Sequence, residues 1–103
     1  MTDNPPTNGL RPVHPGELLR EDVIPALGKP KAEIARLLGI SRQALYDLLE
    51  ERTPVTVPMA LRLGKLCGDG PRIWLAMQQS HDLKIAGARM ESEIAAIPTL
   101  EAV

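Results

Sequence analysis

The sequence predicts an all-α fold. Three observations carry that prediction: apolar residues recur at three- and four-residue spacing, helix start and stop signals bracket those segments, and no stretch alternates apolar and polar residues between turns. No internal repeat is visible, and 103 residues leave room for one domain.

The first segment, MTDNPPTNGLRPV (1–13), has three prolines, two asparagines and a glycine but little to bury, and it predicts a flexible N-terminal arm. A domain over 14–86 follows. Pro15 suits the first position of a helix over about 15–24, striped by Leu18, Leu19, Val23 and Ile24, with Pro25 and Gly28 expected to end it. The second helix is expected from Pro30 to Leu38, with Ile34, Ala35, Leu37 and Leu38 facing inward and Gly39 supplying the positive φ that stops it. Ser41 can cap a third helix over about 42–51, because its hydroxyl accepts from an amide two or three residues on. Thr56 can cap a fourth, where Met59, Ala60, Leu63, Leu66 and Cys67 form the stripe and Gly68 and Gly70 close it. Pro71 opens a fifth helix with Ile73, Trp74 and Met77 on one side. A helical extension and tail over 87–103 completes the chain, with a break expected near Ser80 or Gly87 and an end at Pro98.

Composition narrows the function. With no Phe, one Tyr and one Trp, the core must be aliphatic, and stacking platforms for single-stranded RNA are scarce. The formal charge of −1 supplies no global basic field, so any nucleic-acid contact has to come from a local surface. The single cysteine, Cys67, falls on an inward stripe and has no partner for an internal disulfide. No apolar run approaches the roughly 20 residues of a membrane span, and no basic-then-apolar leader opens the chain, so a cytoplasmic protein is expected. His14 and His81 lie far apart in sequence, and no strand-led glycine-rich phosphate loop is present. No metal, no cofactor and no enzymatic activity are expected.

The informative stretch is KAEIARLLGISRQALYDLLE, residues 31–50. Two short helices joined by a three-residue turn cross steeply only if the turn contains a glycine and the crossing point is small. Gly39 and Ala35 meet those needs, and Ile34, Leu38, Ile40, Leu45 and Leu48 supply the apolar contact of a helix-turn-helix. A hairpin in a small bundle with no role on DNA is the alternative. On the third helix Arg42, Gln43, Tyr46, Asp47 and Glu50 occupy the arc opposite the apolar one, which is the arc free to enter a groove.

HPGELL (14–19), the helix-turn-helix, VTVPMALRLGKLCG (55–68) and GPRIWLAMQQSHDL (70–83) together resemble the HigA antitoxin family and its VapI-like relatives. The resemblance covers about residues 14–86 and implies a five-helix, lambda-repressor-like DNA-binding domain with an extended C-terminal helix. It further implies a homodimer that binds double-stranded operator DNA, represses its own operon and neutralises a HigB-type toxin, a RelE-like mRNA nuclease. A free-standing transcriptional regulator of the same fold is the alternative, and a protein-binding helical module is a third. The chain departs from the family at Pro30 and Lys31, where Ser and Gln are usual, so the second helix lacks its side-chain cap and Glu33 its capping-box partner. Glu50-Glu51-Arg52 stands where an Asn-Gly-Lys turn is common.

On helix-turn-helix geometry, Ser41, Arg42, Gln43, Tyr46 and Asp47 are candidates for base contact, and Lys29, Lys31 and Arg52 for phosphate contact. Asp47 faces either a cytosine amino group or the wrong sites it would repel. Glu50 and Glu51 oppose the dipole at the helix end, and Arg52, Arg62 or Lys65 are the cations placed to offset them. Trp74 is expected in the core or at a dimer contact. Met90, Ile94 and Ile97 form a stripe beyond the completed core, which suggests a second subunit or a toxin.

Overall fold

The computed structural model describes residues 11–101, so most of the expected N-terminal arm lies outside the described residues. Six helices account for the described fold, and no strand occurs among them. Helix α1 begins as Pro15–Leu18, passes through a π-helical turn at Leu19–Val23 and finishes as Ile24–Leu27. The others are α2 (Lys31–Leu38), α3 (Arg42–Leu49), α4 (Val57–Cys67), α5 (Arg72–Arg89) and α6 (Glu91–Ala95).

Pro25 does not end α1, contrary to expectation. The Ile24 N–H donates to the Leu19 carbonyl, five residues back. A π turn of that kind lets the helix absorb a proline, whose ring would otherwise collide with the carbonyl four residues earlier. Gly28, at φ 68°, stops the helix, as expected of it.

Leu19, Ile24, Ile34, Ala35, Leu38, Leu45, Leu48, Leu49, Val55, Ala60, Leu63 and Trp74 form one buried cluster that joins α1 to α5. The core is aliphatic around one tryptophan. Trp74 is 2 % exposed and its indole N–H donates to Asp69 Oδ1 at 3.1 Å, so it belongs to its own chain's core and not to a partner contact. Leu37 corrects another expectation: it is 45 % exposed, and with Leu61 and Leu66 it lines a groove between α2 and α4. Helix α5 runs unbroken through Ser80 and Gly87, and the break falls at Met90. Among the described residues none after Gln78 is buried and every one from Ala86 onward is exposed, which leaves the end of α5 and all of α6 without a packed face.

Candidate nucleic-acid interface

The α2–α3 pair is built by its turn. Gly39 at φ 74° lets its own N–H bond the Arg36 carbonyl at 3.1 Å, while the Ile40 N–H reaches back to the Ala35 carbonyl at 3.0 Å. That is a Schellman ending, and it needs a residue free to turn left-handed. The Ser41 hydroxyl then accepts from the Ala44 amide at 3.0 Å and starts α3, as its position predicts. The same bond commits one lone pair of Ser41, a proposed base contact, to capping. From α4, Arg62 Nη1 donates to the Leu38 carbonyl at 2.6 Å and locks the turn from outside. No local sequence signal marks that bond, because the partners are 24 residues apart.

Five of the seven helix-turn-helix core positions, Ile34, Ala35, Leu38, Leu45 and Leu48, are buried to 4 % exposure or less. Ile40 is half-buried and Gly39 holds the turn. The outward arc of α3 presents Arg42, Gln43 and Tyr46, all exposed, and Asp47, which is half-buried. Asp47 Oδ1 accepts from Gln43 Nε2 at 2.9 Å and from Arg52 Nε at 3.1 Å. The Gln43 bond, followed by Arg52, holds the Asp47 carboxyl below its ordinary value. Arg52 therefore sits beside the recognition arc although it follows α3 in sequence.

The start of α2 supplies the second part of the surface. Pro30 occupies the cap position in an extended conformation and makes no side-chain cap, so the Lys31 and Ala32 amides have no partner among the described residues. They border a shallow open depression lined also by Arg20, Lys29, Pro30 and Tyr46. The Lys31 ammonium lies 5.9 Å from the Tyr46 ring centroid, which ties α2 to the arc of α3. Free amides at a helix start beside lysines suit an oxyanion such as a phosphate. Glu33, without a capping partner, pairs with Arg36 at 3.2 Å.

The acidic end of α3 is compensated from α1, which corrects the expectation that Arg52, Arg62 or Lys65 does so; Arg52 pairs with Asp47 instead. Arg20 Nη1 donates to the Leu49 carbonyl at the helix end and lies 3.4 Å from Glu51 Oε2. Glu51 itself adopts φ 62°. A non-glycine residue there costs roughly 1–2 kcal/mol, a strain that a glycine would not carry.

At the start of α1 the fold joins two residues that lie apart in sequence. His14 Nδ1 accepts from the Gly16 amide at 2.9 Å and caps α1, and its ring meets that of His81 edge-on at 5.0 Å. His81 Nδ1 is 3.0 Å from Asp82 Oδ1. No group of three or more potential metal ligands occurs among the described residues. Cys67 is half-buried, and burial raises its thiol above the ordinary value, as suits a packing residue.

The chain is 33% identical over 91 residues to virulence-associated protein I of Dichelobacter nodosus, spanning 88% of this chain and 84% of that one. Antitoxin GraA is 38% identical, superposes with a TM-score of 0.81 and is matched over 89% of this chain and 100% of its own. Pseudomonas aeruginosa antitoxin HigA, solved with the higBA promoter, is 30% identical with a TM-score of 0.81, over 88% of this chain and 100% of that chain. The chain belongs to the HigA antitoxin family. No protein-family model matches it. In this HigA-family chain the helix-turn-helix core is bounded by Pro30, which makes no side-chain cap, and by Glu51 in a left-handed turn.

Proposed function

We propose that this chain is a homodimeric DNA-binding antitoxin that represses its own operon and neutralises a HigB-type, RelE-like mRNA-cleaving toxin. The observation that supports it most is the exposed Arg42–Gln43–Tyr46 arc of α3, flanked by the uncapped start of α2 with Lys29 and Lys31. Arg42 fits a guanine edge, Gln43 an adenine edge, and Tyr46 a phosphate or a thymine methyl. Lys29, Lys31, the α2 amides and Arg52 fit the sugar–phosphate backbone. Antitoxin GraA in complex with its operator and Pseudomonas aeruginosa HigA with the higBA promoter, relatives of the same fold, favour this reading.

Selection from a random duplex pool, followed by salt titration, tests it. Arg42→Ala or Gln43→Ala should each cost about 1–3 kcal/mol on the selected duplex and relax its sequence preference. Lys31→Ala should weaken selected and random duplexes alike and flatten the salt slope by about one unit. Equal losses on both duplexes for Gln43→Ala would remove its reading role. The toxin half is tested by co-expression: a toxic nuclease encoded beside this chain should co-purify with it and lose its mRNA cleavage. A chain that represses its promoter and rescues no toxin is instead a free-standing regulator.

A further inference from the structure

We propose that Asp47 is a positioning residue for DNA readout, which fixes the Gln43 amide in its adenine-reading orientation and holds Arg52 beside it, without touching a base itself. The inference rests on the DNA-binding reading above. A carboxylate oxygen only accepts, so the face of the Gln43 amide turned toward Asp47 Oδ1, 2.9 Å away, must be its NH2. One N–H is spent on that bond. The second N–H and the carbonyl oxygen stay outward, and they form the adjacent donor and acceptor that adenine N7 and its N6 amino group require. Without Asp47 the amide is free to rotate end for end and to offer the reverse pattern.

Arg52 completes the arrangement. Its Nε lies 3.1 Å from the same Oδ1, which leaves both terminal amino groups for a phosphate. The guanidinium also offsets the carboxylate that would otherwise face a polyanion. The backbone adds to this, because the Arg52 N–H donates to the Asp47 carbonyl at 2.8 Å and places Arg52 one turn past the reading arc. Asp47 is half-buried while Gln43 is exposed, so the anchor is the more confined member of the pair. Asp47 thereby acts on specificity and its charge acts against affinity.

Two variants separate the roles. Asp47→Asn keeps a side-chain oxygen for Gln43 and removes the charge; Asp47→Ala removes both. Binding is measured to the duplex that the wild-type chain enriches from a random pool and to a random duplex, with thermal melting to confirm that each variant folds. Asp47→Ala should bind the random duplex severalfold more tightly while its selected-to-random ratio falls about tenfold, the size of one lost base readout. Asp47→Asn should gain affinity on both and keep most of the ratio. Replacing the adenines of the selected duplex one at a time with 7-deazaadenine, which lacks N7, should weaken wild type at one position of each half-site and leave Asp47→Ala nearly indifferent there. An unchanged ratio for Asp47→Ala, or an equal loss in Asp47→Asn, overturns the inference alone. If wild type enriches no duplex at all, the DNA-binding reading falls and this inference falls with it.

Discussion

His14 shows how one residue carries a helix start, a core contact and a pH response. It is 4 % exposed, caps α1 through Nδ1 and so must be unprotonated there. Burial lowers its pKa below the ordinary 6.5, and the neighbouring His81 pushes the same way, while Glu51, Asp82 and the Thr53 backbone oppose them. The sign follows from the linkage: the folded state binds the His14 proton less readily than the unfolded chain. Its contribution is fully present above about pH 6.5 and is lost as pH falls through the folded value. Thermal melts from pH 8 to 5 should therefore show a steeper fall in Tm for wild type than for His14→Asn, which keeps a capping oxygen and cannot titrate. Parallel curves for the two proteins would assign that acid sensitivity to other groups. Asp82, whose pKa is lowered by its His81 bond, acts in a lower window, below the carboxylate's ordinary 3.8, and does not confuse the comparison.

Between elements, the distances are set by the smallest residues. A Cβ on Gly16 would run into the Leu48 carbonyl, so α1 lies directly on the backbone of the recognition helix. The HPG start thus joins a cap, a pre-set first turn and a close approach in three consecutive residues. Gly16→Ala should destabilise the fold by about 1–3 kcal/mol, because backbone cannot step aside as a side chain can. Gly87→Ala, in the interior of α5 with open space around it, should instead stabilise by about 0.5–1 kcal/mol in the same denaturant titration. Similar effects at the two sites would contradict the close approach. These elements also show what the sequence makes legible. Gly39, Ser41 and the spacing of Ile34, Ala35, Leu38, Leu45 and Leu48 are local signals, and local hydrogen bonds and periodicity place them correctly. Arg20 on the α3 end, Arg62 on the turn and Gln78, whose Oε1 accepts from the buried Val55 N–H at 2.7 Å, act over 23 to 29 residues. Their partners are backbone carbonyls and amides, which leave no trace in side-chain pattern. Leu37 misleads for a related reason: it extends the apolar run of α2 but turns toward the outer groove.

At the scale of the whole molecule, a radius of gyration of 17.0 Å exceeds the roughly 13 Å of a compact chain of this length. The excess matches the C-terminal end, where every described residue from Ala86 onward is exposed. Leu83, Ala86, Met90, Ile94 and Ile97 follow one another at three- and four-residue steps across the break at Met90, and Leu83, Ile94 and Ile97 are 73 %, 52 % and 63 % exposed. A stripe of that length left in water is unfavourable by about 25 cal/mol for each Å² a partner would cover. We propose this stripe as the contact of the dimer, in which two α3 arcs would lie about 34–36 Å apart on a palindromic site. The double variant Ile94→Asp, Ile97→Asp should therefore sediment as a monomer at concentrations where wild type is a dimer. Its Tm in the dilute limit should match wild type, since neither residue is buried in its own chain. Each monomer should still bind a half-site, with the steep concentration dependence on a full palindrome lost. A double variant that remains dimeric would move the dimer contact away from the C-terminal stripe, and would leave that stripe, with its flanking Glu91 and Glu93, as the surface for a basic partner such as the proposed toxin.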